Sequence, residues 1–208
     1  MNIREILAMA PVIPVLTISD VAHAVPLAQA LVGGGLRVLE VSLAGPVAIG
    51  CVEAIRKAVP EAIVGVGNLT KAVDFASAGR AGSQFGVTPG LTPELAAAAR
   101  GARFPLLPGV MTPTEVIAAR AAGFNVLMLF PAHQAGGVSV LRAFGAAFPD
   151  VLFRPTGGIA RDSAAEYLSL PNVASVGGSW LAPPAMMAAG DWAGITALAR
   201  DAATLAKD

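Results

Sequence analysis

Short, almost wholly apolar runs alternate along this chain with longer stretches whose apolar positions recur at helical spacing. The first run, 12–16, is followed by Ser19-Asp20 as a helix start, then by a helix over 21–32 that Gly33-Gly34-Gly35 closes. The same order returns as strand 37–41 with helix 46–58, strand 63–66 with helix 70–78, and strand 84–87 with helix 92–100. It continues with 105–107 and 112–121, 126–130 and 138–146, 151–153 and 162–168, and finally 173–176 and 191–205. Strands so short and so uniformly apolar are buried on both faces, as in a parallel sheet covered by helices. Eight such units predict a (β/α)8 TIM barrel with a short N-terminal helix, a single domain over 1–208. An open doubly wound sheet is the weaker alternative, because no glycine-rich dinucleotide fingerprint follows the first strand.

Composition narrows the function classes. With 55% hydrophobic and 13% charged residues, the chain is too apolar to be disordered and long enough for one large core. Its formal net charge is zero, so nothing supplies the basic field that nucleic acid or an anionic membrane demands. The N-terminus has no uninterrupted apolar run long enough for a signal sequence or membrane span, and the lone Cys51 cannot form an internal disulfide. A cytoplasmic protein with Cys51 as inert packing is expected.

In a barrel, chemistry sits where strands end at the C-terminal face. Thr156-Gly157-Gly158 follows the seventh apolar run and Gly177-Gly178-Ser179 the eighth. Paired glycines let backbone N–H groups approach an anion, and two hydroxyls add donors, so these loops predict a phosphate site. Glu40 stands inside an apolar strand and faces either the lumen, where desolvation makes it a candidate general base, or a surface seam; the plainer reading is a buried structural carboxylate hydrogen-bonded to a neighbour. Asn68 and His133, at two further strand ends, are candidate hydrogen-bond donors or acid/base groups. No metal-ligand spacing occurs, and neither a metal nor a cofactor is expected.

Over essentially its whole length the chain resembles the class I aldolases that cleave 2-keto-3-deoxy-6-phosphogluconate and 4-hydroxy-2-oxoglutarate. The resemblance is carried by Gly35-Leu36-Arg37-Val38-Leu39-Glu40-Val41, Thr88-Pro89-Gly90-Leu91-Thr92, Leu129-Phe130-Pro131-Ala132, Pro155-Thr156-Gly157-Gly158-Ile159 and Val176-Gly177-Gly178-Ser179-Trp180-Leu181. It implies a metal-free homotrimeric barrel in which a lysine forms an imine with a 2-keto group and a glutamate shuttles protons. Glu40 matches that glutamate, and Thr156, Gly157, Gly158, Gly177, Gly178 and Ser179 match the phosphate site. Trp180, Leu181, Met186, Met187 and Trp192 are candidates for an interface or for core.

The departures gather in one pocket. Met128 stands where the resemblance implies the imine-forming lysine, Ala44 where it implies an arginine for the substrate carboxylate, Asn68 at a threonine position, and His133 at a glutamate position. A thioether forms no imine, and the lysines are Lys57, Lys71 and Lys207 alone. These changes predict Glu40 in a drier, less cationic cavity with Met128 and Ala44 lining it, in either a specialised paralogue or a rebuilt active site. Three readings remain open: Glu40-centred proton abstraction from a mostly apolar small-molecule ligand; retained cleavage of a 2-keto-3-deoxy sugar acid phosphate to pyruvate and an aldehyde; and a non-catalytic role as a binder of a phosphate-bearing ligand or as a trimeric scaffold.

Overall fold

A computed structural model describes residues 1–45, 47–102 and 104–205. Its elements in chain order are α1 (Ile3–Leu7), β1 (Val12–Leu16), a 3-10 turn (Val21–His23), α2 (Ala24–Gly33), β2 (Val38–Ser42), α3 (Ala48–Ala58), β3 (Ile63–Gly67), α4 (Ala72–Arg80) and β4 (Phe85–Thr88). The second half runs α5 (Pro93–Gly101), β5 (Leu106–Val110), α6 (Pro113–Ala121), β6 (Val126–Leu129), α7 (Gly137–Ala147), β7 (Leu152–Phe153), α8 (Arg161–Leu168), β8 (Val176–Gly178), α9 (Pro184–Ala189) and α10 (Trp192–Ala203). The strands pair in parallel from β7 down to β1 and on to β8, and the single bridges Phe153–Val173 and Thr156–Gly177 join the remaining edges. The expected (β/α)8 barrel is the fold.

Alternation along each strand separates two cores. Leu39, Val41, Val64, Val66, Leu127 and Leu129 point outward into the layer between sheet and helices. Val38, Ile63, Phe85, Leu107, Val126 and Met128 point inward and pack with Ile13. Ile6 and Leu7 of α1 join this inner cluster and stopper the lower end of the barrel. Asn2 and Glu5 fix that short helix by reciprocal capping, each side chain accepting from the other's backbone N–H. Gly65 is required inside: a Cβ there would stand 2.3 Å from the Phe85 ring, which fills the space instead.

The helix starts follow local chemistry. Thr92 and Thr112 cap α5 and α6, each followed by a proline whose missing N–H costs nothing in the first turn. Outside, α2 and α10 pack closely because Gly34 leaves room for Ala199, 2.4 Å from where its Cβ would be. Cys51 is buried in α3, and burial, then the charge of Asp20, pushes its thiol up, in keeping with a packing role.

Three sequence expectations shift. The eighth strand is Val176–Gly178 rather than 173–176, so Gly177 and Gly178 lie in the strand and not in a loop beyond it. Apolar content misplaces this strand because its last two residues have no side chains to read. The helix α9 was not anticipated; Pro183-Pro184 starts it and Gly190, in the left-handed conformation, ends it. Of the proposed interface residues, Leu181 and Met187 are buried in the core, while Trp180, Met186 and Trp192 pack half-buried against it. Among the described residues no helix is long and apolar enough to cross a membrane.

Candidate active site

Period-two alternation brings three unlike side chains to one level of the lumen. Glu40 is two residues beyond inward-facing Val38, Met128 two beyond Val126, and Arg154 two beyond Leu152, which packs on the inner cluster. Glu40 is 4% exposed, Met128 4% and Arg154 0%. Arg154 Nη1 donates to Glu40 Oε2 at 2.5 Å, an ion pair that spans the interior from β2 to the end of β7. The expected less cationic cavity is therefore corrected: a guanidinium, absent from the sequence reading, occupies the lumen beside Glu40. Its signal was present, since the inward parity of Leu152 extends to 154 and a buried Glu40 calls for a cation.

Glycines make this arrangement possible. A Cβ on Gly67 would lie 2.1 Å from Glu40 Oε1, so the carboxylate rests on bare backbone. On the other side, a Cβ on Gly177 would lie 2.3 Å from Thr156 Oγ1 and 2.8 Å from Arg154 Nη2. Among the described residues, Glu40 Oε1 accepts no hydrogen bond, and Arg154 Nε, Arg154 Nη2 and Thr156 Oγ1 are buried without partners.

The pair is an expense to stability. Desolvating each ion costs several kcal/mol, and two guanidinium nitrogens without partners add to that cost, so an apolar pair of similar volume would serve folding as well or better. Such a half-satisfied network in a lumen points to function.

At the rim, the backbone of two loops is stitched together. Ala132 N–H donates to Thr156 O at 2.8 Å, His133 N–H to Gly157 O at 3.0 Å, and Gly177 N–H to Pro155 O at 2.9 Å. Gly157 and Gly158 have φ of 101° and 71°, which glycine tolerates and other residues resist. Among the described residues, the N–H groups of Gly157, Gly158 and Ser179 have no acceptor, and Gly158 and Ser179 are exposed. Unpaired backbone N–H groups on loops that precede a helix are donors that an anion can use.

The other sequence candidates sit at the edge. Asn68, exposed and left-handed at φ 59°, donates from Nδ2 to Ser42 Oγ at 2.9 Å and so ties the ends of β2 and β3. Ala44 is exposed in the turn after β2, its N–H on Ser42 Oγ. His133 is exposed, its Cβ 2.6 Å from the place of a Cβ on Gly158, so it flanks the glycine loop. Lys57 and Lys71 are exposed on or at the start of outer helices, and Lys207 lies outside the described residues. No three His, Cys, Asp or Glu among the described residues gather as a metal site requires.

Residues 3–198 match the family model for KDPG and KHG aldolase. The 2-dehydro-3-deoxy-phosphogluconate aldolase of Pseudoalteromonas atlantica is 45% identical over 199 residues, spanning 96% of this chain and 93% of that one. Among solved structures, the KDPG aldolase of Legionella pneumophila, with pyruvate captured as a covalent carbinolamine intermediate, superimposes with TM-score 0.96 at 40% identity, covering 98% of this chain and 99% of that one. The aldolase of Zymomonas mobilis with 3-phosphoglycerate gives TM-score 0.92 at 41% identity over 98% of this chain and 95% of its own. With that coverage and identity, this chain belongs to the KDPG and KHG aldolase family.

Proposed function

We propose that this chain is a proton-transfer enzyme of the aldolase family that acts without a lysine imine on a phosphate-bearing 2-oxo acid. The observation that carries this reading is the buried Glu40, held through Oε2 by Arg154 while Oε1 stays uncommitted. The relatives' names supply the substrate class: a 2-dehydro acid bearing phosphate, and 3-phosphoglycerate in one complex. The free N–H groups of Gly157, Gly158 and Ser179 are the proposed phosphate seat, with Thr156, Gly177 and Gly178 shaping it. Met128 and Ala44 are the proposed replacements for the family's lysine and arginine.

Glu40 Oε1 takes a proton from the carbon next to the keto group; the C–H electron pair becomes the C=C bond of the enolate as the C=O π pair moves onto oxygen, the Glu40 carboxyl exchanges its proton for solvent deuterium, and the reverse step returns deuterium to carbon. With Met128 in the lumen and Lys57 and Lys71 on the outer surface, no described lysine is placed to form an imine there.

The test is deuterium exchange at the pyruvate methyl group, followed by proton NMR, alongside borohydride treatment and intact mass. Exchange above the buffer rate, lost in Glu40→Gln, with no trapped adduct, is the expected result. No exchange, or exchange indifferent to Glu40→Gln, removes the reading; a pyruvate adduct trapped on a lysine restores the ordinary aldolase. The homotrimer that the family resemblance implies is tested by light scattering.

A further inference from the structure

We propose that the free edge of Arg154, together with Thr156 Oγ1, binds the carboxylate of a small 2-oxo acid at the floor of the barrel mouth. This rests on reading the mouth as a 2-oxo acid site.

A guanidinium offers a side-on edge, Nε with Nη2, whose two parallel N–H groups match the two oxygens of a carboxylate. Among the described residues, the two surface arginine pairs use that edge. Arg120 grips Asp150 with Nε at 3.1 Å and Nη2 at 3.0 and 2.8 Å, and Arg161 grips Asp201 through the same two nitrogens. Arg154 differs: it meets Glu40 through Nη1 alone and keeps Nε and Nη2 buried and unpartnered. The lumen thus holds an arginine whose better edge is unused while its other nitrogen is occupied.

The neighbourhood fits one anion. Arg154 Nη2 and the orphaned Thr156 Oγ1 lie 2.8 and 2.3 Å from one point over Gly177, so the two donors are no more than about 5 Å apart, a span that one carboxylate oxygen can bridge. The ligand's carboxylate and Glu40 then share one guanidinium, which sets the acidic carbon of the ligand on the Glu40 side. Arg154 has no exposed surface, so binding requires the groups that cover its free edge at the mouth to move aside.

Direct binding tests this independently of turnover. Pyruvate is titrated into the full chain, with pyruvamide as the probe lacking the charge, while the Arg154 side-chain Nε–H resonance is followed by 15N NMR and assigned by its loss in Arg154→Lys. The expected result is saturable movement of that resonance with pyruvate and none with pyruvamide. Affinity should fall about tenfold or more in Arg154→Lys, which keeps the charge and loses the edge, and severalfold in Thr156→Val. An unmoved Nε–H resonance in the unmodified protein, equal binding of pyruvamide, or unchanged affinity in folded Arg154→Lys overturns the proposal. Binding through Arg154 without deuterium exchange would remove the proposed proton transfer and leave this site; exchange without an Arg154 response would do the reverse.

Discussion

Arg154 and Glu40, 114 residues apart in the chain, neutralise each other inside the barrel, with side chains 0% and 5% exposed. Removing one partner leaves a buried charge alone, so Glu40→Ala or Arg154→Ala should cost about 3–5 kcal/mol in urea unfolding. The double variant Glu40→Leu, Arg154→Met should regain most of this or exceed the unmodified protein. A double variant no more stable than the singles would show that the pair is needed for the fold.

Gly67→Ala places a Cβ 2.1 Å from Glu40 Oε1. The carboxylate, at the end of a rotatable side chain, has to shift by an ångström or so, and displacements of that size cost about a hundredfold in rate. Deuterium exchange should fall on that scale while the far-ultraviolet circular dichroism stays the same. Full activity would mean that the position of Oε1 does not matter.

Met128→Lys puts an amine at the level of Glu40. Burial next to Arg154 disfavours the ammonium form, which is the condition for a nucleophilic lysine. The variant should give a borohydride-trapped pyruvate adduct that the unmodified protein lacks, with a lower melting temperature because an amine replaces a well-packed thioether. Absence of any adduct in a folded Met128→Lys protein would show that the lumen at this level is closed to pyruvate.

Asp201 is held below the usual carboxylate range, first by the hydrogen bonds from Arg161 and then by its charge, and Asp150 likewise by Arg120. A carboxyl lowered in the folded state contributes stability that is complete above its ordinary value near 4 and fades as pH falls through the folded value. Arg161→Ala should therefore melt slightly below the unmodified protein at pH 6 in low salt, with the gap closing towards pH 2 and in high salt. A gap that persists at pH 2 would assign the effect to packing.

Much of the barrel is readable from the sequence because inward and outward residues alternate within each strand while helical spacing follows. Val38-Leu39-Glu40-Val41 is legible both as strand and as site, since a carboxylate among apolar neighbours is conspicuous. β7 and β8 are harder: two residues in one, and two glycines in the other, leave little hydrophobic pattern. Arg154 was missed for that reason, lying just past the apolar run, where a charge reads as loop. Asn68 and His133 stand out as polar residues at strand ends, yet the tie of Asn68 to Ser42 and the seat of His133 beside Gly158 depend on loop geometry that composition does not encode.

The stopper formed by Ile6 and Leu7 makes the lumen a blind vessel. Whatever reaches Glu40 and Arg154 comes and goes at the upper rim, so substrate and product share one passage and accumulated product slows the next entry.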